Sequence, residues 1–162
     1  MKKIIILLAL TFGWQASIMA EENTEKWYEF DHLYLQGGTY IHFSSSKDHS
    51  GSNLMVGLEA MKSNNWLYGL ALFDNSFGQF SHYAYVGKNW DLSGSLENFH
   101  LKLTGGIIHG YKEPWDDKIP FNTSNGWAPG IVPSFGYKKG RFGADVMLLG
   151  NSGLMFSIGT DF

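Results

Sequence analysis

The residues that could do chemistry cluster around one turn. Asp74-Asn75-Ser76 sits between two apolar stretches, and His42 ends an earlier one. His109 ends another, with His49 and Asp116 in neighbouring polar segments. A serine, a histidine and a carboxylate are the smallest set that can attack an ester: the hydroxyl is the nucleophile, the imidazole takes its proton, and a third group orients the base. Position along the chain does not supply the distances this needs. A serine beside Asp and Asn is also ordinary turn chemistry, and both readings stand at this point. His82 and His100 read as satisfied interior or interface residues. The chain has no cysteine and no HExxH, CxxC or glycine-rich phosphate loop, so neither a metal nor a cofactor is expected.

These residues need elements to hold them, and the sequence alternates. In Leu154, Phe156, Ile158, Thr160 and Phe162 one face is mostly apolar, while Met155, Ser157, Gly159 and Asp161 make a mixed face. That is the period of a strand. Similar runs begin at Leu33, Leu54, Trp66, Phe80, Phe99, Trp127 and Phe142, which gives eight strands. Only the run from Phe80 leaves its phase open. Polar or glycine-rich connections separate the runs, the longest being Gly110 to Asn125. With the apolar faces on one side, Glu59, Lys102, Asp145 and Asp161 all fall on the other. A basic residue facing lipid near the midplane would cost about 2–4 kcal/mol, so these charges are expected inside, paired with one another.

The N-terminus has a leader pattern: Lys2 and Lys3, an apolar run from Ile4 to Phe12, then Ser17-Ile18-Met19-Ala20 before two glutamates. The run is shorter than the ~20 residues of a spanning helix. A secretory signal peptide over 1–20 is expected, followed by one domain over 21–162. Of the 12 basic residues two lie in the leader, which leaves 10 against 15 acidic ones, a net charge of −5. That balance does not suit nucleic acid. An exported chain without cysteine is held by burial and backbone hydrogen bonds.

The predicted fold is all-β: an eight-stranded antiparallel up-and-down transmembrane barrel in the bacterial outer membrane, with a short interfacial helix or turn over 22–31. A water-soluble lipocalin-like barrel has the same local pattern with its apolar faces turned inward. With both barrel ends at the periplasmic side, the connections at 44–52, 74–78, 110–125 and 150–153 fall at the outer rim, where His42 and Ser76 also lie. Pro129 and Pro133 sit in the sixth strand. Proline has no donor for a sheet ladder, so a break in the wall there could admit a lipid tail. Pro129 can also be read as simply starting the strand.

Three blocks resemble the lipid A palmitoyltransferases: Leu72-Phe73-Asp74-Asn75-Ser76-Phe77, Glu97-Asn98-Phe99-His100-Leu101-Lys102-Leu103 and Ile131-Val132-Pro133-Ser134-Phe135-Gly136-Tyr137. Leu33-Tyr34-Leu35 and Thr39-Tyr40-Ile41-His42 are similar to that family's first strand. The resemblance implies an eight-stranded outer-membrane barrel with lateral gaps that moves a palmitoyl chain from a phospholipid to lipid A. It places the family's histidine on His42, one residue out of phase, and its serine on Ser76. The aspartate position is occupied by Asn75, with Asp74 just before it. The implied partners are outer-membrane phospholipid and lipopolysaccharide, handled by a monomer. The chain also resembles small outer-membrane proteins labelled glycerol-3-phosphate transporters, although no basic cluster suited to phosphate is evident. The alternative expectation is therefore a non-catalytic barrel for structure, adhesion or small-solute transport.

Overall fold

The computed structural model describes residues 4–5, 28–43 and 49–162. Alternation builds eight strands: β1 His32–His42, β2 Leu54–Met61, β3 Trp66–Asp74, β4 Phe80–Asp91, β5 Phe99–His109, β6 Trp127–Lys139, β7 Phe142–Leu149 and β8 Gly153–Asp161. Each pairs antiparallel with its neighbours, and β8 pairs with β1 to close the barrel. The register runs from Gly153 opposite His42 to Asp161 opposite Tyr34. Phe162 and Leu33 complete the seam by exchanging backbone hydrogen bonds of 3.0 and 3.3 Å.

The polarity of the barrel is reversed from that of a water-soluble protein. Ile131 and Ile158 on the outer face are each 73% exposed. Glu59, Lys102 and Asp145, facing in, are 2%, 5% and 3% exposed. This excludes the lipocalin-like arrangement. An apolar band this extensive, wrapped around a charged interior, is stable in hydrocarbon and not in water. Asp161 falls on the inner side as expected, near the short-turn rim, where Lys138 Nζ meets it at 2.6 Å.

The phase of β4 is settled by its neighbours. Ser81, Tyr83 and Tyr85 turn inward and are buried, whereas Phe80 and Val86 face out. The ladder also continues beyond Gly87 to Asp91, paired with His100. The added polar residues are held at the short-turn rim, where Asn65 Nδ2 and Asn89 Nδ2 donate to the Asp91 carboxylate at 3.1 and 3.0 Å.

Most of the leader over 1–20, and residues 21–27 of the interfacial segment, lie outside the described residues. Ile4–Ile5 pairs with Glu29–Phe30 in a two-residue ladder. Tyr28 to Asp31 forms a turn and this short strand, not a helix. Phe30 is buried with Leu33 and Ala60, its ring 6.0 Å from that of Tyr68. The short segment thus packs on the outer wall near the start of β1.

Midway along the lumen, polar side chains from six strands link up. Ser157 Oγ donates to Gln36 Oε1 at 3.0 Å, and Gln36 Nε2 donates to Glu59 Oε1 at 3.1 Å. The Tyr85 hydroxyl donates to the same oxygen at 2.9 Å. Lys102 Nζ donates to both Glu59 oxygens at 3.2 Å and lies 3.5 Å from Asp145 Oδ1. His100 Nε2 meets that Asp145 oxygen at 2.8 Å. Two glycines make room: a Cβ at Gly69 would run into the Tyr85 ring, and one at Gly136 into His100 and Asp145. The network satisfies each buried charge and occupies the narrow cross-section of an eight-stranded barrel.

Candidate functional site: a serine–histidine pair at the long-loop rim

Ser76 is presented by a turn that Asn75 organises. The fully buried Asn75 side chain accepts from the backbone N–H of Phe77 and of Gln79, each at 3.0 Å, through Oδ1. Its Nδ2 donates to Gln79 Oε1 at 3.3 Å and to the Gly110 carbonyl at 3.5 Å. An Asn in this position closes the turn by mimicking a backbone group. Gly78 completes the turn with φ 75°, a left-handed conformation suited to glycine. The 49–53 segment packs against this turn, with Ser50 N and Gly51 N donating to the Ser76 carbonyl at 3.0 and 3.3 Å.

The turn brings Ser76 to the top of β1. His42 Nε2 lies 2.7 Å from Ser76 Oγ. With that nitrogen unprotonated, Ser76 donates and His42 is placed to take the proton. The His49 ring stacks on His42 with centroids 3.9 Å apart at 26°, and the Tyr40 ring meets His42 edge-on at 5.1 Å. The Tyr40 hydroxyl donates to the Asp74 carbonyl at 2.9 Å. The Asp74 carboxylate accepts from Ser52 Oγ at 2.6 Å. The expected pair of His42 and Ser76 is therefore assembled, Asp74 is engaged by Ser52, and the Asn75 side chain is committed to the turn.

The long loop forms a cover. The Phe77 ring stacks on Trp115 at 4.4 Å and 11°, and Gln79 Nε2 donates to the Lys112 carbonyl at 3.1 Å. Burial pushes the Tyr111 hydroxyl well above its ordinary value, and Tyr40 adds to this, while a hydrogen bond with Ser76 pulls the other way. Tyr111 thus stays a neutral phenol beside the serine. Tyr40 could have been found from the sequence, two residues before His42 on the same strand face. Tyr111 and Trp115 carried no signal, because an irregular loop has no period. His109 and Asp116, grouped with this end by sequence, part company here. His109 faces outward against His82 and Trp127, and the Asp116 carbonyl accepts from Asn122 at 2.8 Å.

Below the pair is a cavity of about 60 Å³. Met55, Phe73, Met147 and Met155 line its sides, and Glu59 and Lys102 of the polar network close its floor. Tyr40, whose ring meets His42, packs against the three methionines of the cavity wall. Methionine walls reshape readily around an apolar guest.

The wall beside this cavity is paired on one side only. β6 follows β5 along its length, from Trp127 opposite His109 to Tyr137 opposite Phe99. Its ladder with β7 runs only from Lys139 to Ser134. Lys138 N donates to Asn98 O on the β5 side at 2.8 Å. Antiparallel alternation then aims the N–H of even-numbered residues at β5 and of odd-numbered ones at β7. Pro129 and Pro133 are odd, so the donors they lack are those that would bridge to β7. Val132 and Leu149 flank this unpaired edge, and both line the cavity.

No family model matches the chain, and no curated protein matches it. Among solved structures, a transmembrane β-barrel designed de novo superposes with a TM-score of 0.59 at 12% identity, covering 82% of this chain and 97% of the designed one. At that identity the likeness concerns the fold alone. Together with the apolar exterior, it makes this chain a small eight-stranded barrel of the transmembrane type.

Proposed function

We propose that the protein is a lipid-handling barrel of the bacterial outer membrane that transfers an acyl chain from a phospholipid to lipid A. The observation that carries this reading is the 2.7 Å contact between His42 Nε2 and Ser76 Oγ, joined through Tyr40 to the methionines of an apolar cavity. The unpaired edge at Pro129 and Pro133 supplies a lateral entrance for a lipid tail. In the first half-reaction Ser76 Oγ attacks the ester carbonyl and His42 takes its proton. The carbonyl then expels the lysophospholipid oxygen, which receives that proton. In the second half-reaction His42 deprotonates a lipid A hydroxyl, which takes the acyl group from Ser76 and restores the serine. His49, stacked face to face on His42, restrains the rotation of that imidazole by ring contact. Tyr111 stands beside the serine as a neutral hydrogen-bond donor.

Lipid A from cells expressing the gene should gain one acyl chain by mass spectrometry, and Ser76→Ala and His42→Ala should abolish the gain. An unchanged spectrum in expressing cells would remove the enzymatic reading.

One observation favours a second reading. The Asp74 carboxylate is turned to Ser52, so it does not orient His42 as the acid of a triad would. A non-catalytic barrel for structure, adhesion or small-solute transport, such as of glycerol-3-phosphate, needs no such acid. Solute passage would have to cross the polar network, so steady conductance in a planar bilayer would favour the transport version.

A further inference from the structure

His82 and His109 stand opposite each other in the β4–β5 ladder. Alternation along both strands puts their side chains outside the barrel, at the long-loop end and away from Ser76. Their ring centroids lie 5.0 Å apart at 47°. Imidazoles on adjacent corners of a tetrahedral ion, with metal–nitrogen bonds of about 2.0–2.1 Å, place their centroids roughly 5 Å apart. The two rings are thus already at chelating separation without a bound ion. Trp127, next along the wall on β6, packs on His109 at 4.3 Å and 36° and lies 6.0 Å from His82. Its indole braces both rings, and both histidines are partly exposed. The other close histidine pair is different: His42 and His49 are stacked face to face at 3.9 Å, which does not converge two nitrogen lone pairs on one point.

We propose that His82 and His109 form a two-imidazole site for a divalent transition-metal ion on the outer wall at the long-loop rim. Imidazole suits Zn²⁺, Ni²⁺ and Cu²⁺ and not the hard cations Mg²⁺ and Ca²⁺. Among the described residues no group of three or more His, Cys, Asp or Glu side chains gathers around a metal position. The ion would therefore be held by two protein bonds and keep exchangeable positions, open to water or to the phosphate oxygens of surrounding headgroups. It would also clip β4 to β5 at the end of their ladder, so binding would oppose unfolding of the barrel. This inference does not depend on the acyltransferase reading, since it uses neither His42 nor Ser76.

The test is calorimetric titration of the full barrel, made without a polyhistidine tag and folded in detergent, with Zn²⁺ and Ni²⁺. One ion per chain is expected. His82→Ala and His109→Ala should each weaken binding by about tenfold or more, since losing a ligand costs at least what losing an outer-shell partner does. Both side chains face outward, so the variants should keep whatever heat-dependent gel mobility shift the native barrel shows. Zn²⁺ should raise the urea midpoint of the native protein and of His42→Ala, and leave the two wall variants unmoved. Absence of binding, undiminished binding in His82→Ala and His109→Ala, or loss of binding in His42→Ala alone would each overturn the proposal.

Discussion

The middle of the lumen and its long-loop rim hold polar groups on opposite terms. At mid-barrel, Glu59, Lys102, Asp145 and His100 are buried, and each is bonded to another member of one network. At the rim, Ser76 and His42 meet each other beside the rings of Tyr40, His49 and Tyr111, near a Met-lined cavity. The first arrangement spends its hydrogen-bonding capacity on itself and serves stability. The second leaves a nucleophile and a base with capacity to spare. The difference teaches where reactivity can lie: buried charges that neutralise one another form a plug, and a hydroxyl set against an imidazole beside apolar space forms a candidate site.

The largest effects should come from breaking the plug. Lys102→Met leaves Glu59 and Asp145 without their shared cation and should cost about 3–5 kcal/mol, measured by urea unfolding in lipid vesicles. A double change, Glu59→Leu with Lys102→Met, should cost clearly less, because it leaves fewer uncompensated charges. If the single and double variants lose equally, the network is not the coupled unit described here. Next is the outer face. Leu70→Arg, on the lipid side of β3, should cost about 2–4 kcal/mol if it lies near the midplane.

At the rim the effects on stability should be smaller and those on activity larger. Asn75→Ala removes the acceptor of two backbone N–H groups and should cost about 1–3 kcal/mol. Asn75→Asp keeps the acceptor of both N–H groups but sets a buried carboxylate oxygen against Gln79 Oε1 and the Gly110 carbonyl, so it should recover only part of the loss. Ser76→Ala should shift stability by about 1 kcal/mol or less while abolishing acyl transfer. If Ser76→Ala instead destabilises the barrel as much as Lys102→Met, the two regions are not different in kind.

Much of this was legible because a membrane barrel writes its inside and outside into every second residue. Gln36, Glu59, Lys102, Asp145 and Ser157 fell on the inner side by parity alone. The pattern failed in β4, where Phe80 faces lipid and Tyr83 and Tyr85 face the lumen, so aromatic character carries no phase. It also faded at the rims, where Lys88 to Asp91 continue a ladder in mostly polar residues. His109 had been grouped with the candidate site by proximity to the rim, yet its parity with Phe99, Leu101, Leu103 and Ile107 places it outside. His42 and Ser76 were found by residue type and resemblance. Asp74's turn toward Ser52 is a side-chain choice that no spacing encodes, and the roof from Tyr111 and Trp115 depends on how an aperiodic loop folds back.

The most direct test of the reversed polarity uses the chain's lack of cysteine. Single cysteines placed along β8, as Met155→Cys, Phe156→Cys, Ser157→Cys and Ile158→Cys, can carry a fluorophore in lipid vesicles that contain a quencher on the acyl chains. Cysteines at 156 and 158 should label and be quenched strongly, whereas those at 155 and 157, facing the filled lumen, should resist labelling in the folded barrel or be quenched weakly. Strong quenching at 155 and 157, with 156 and 158 protected, would contradict the account.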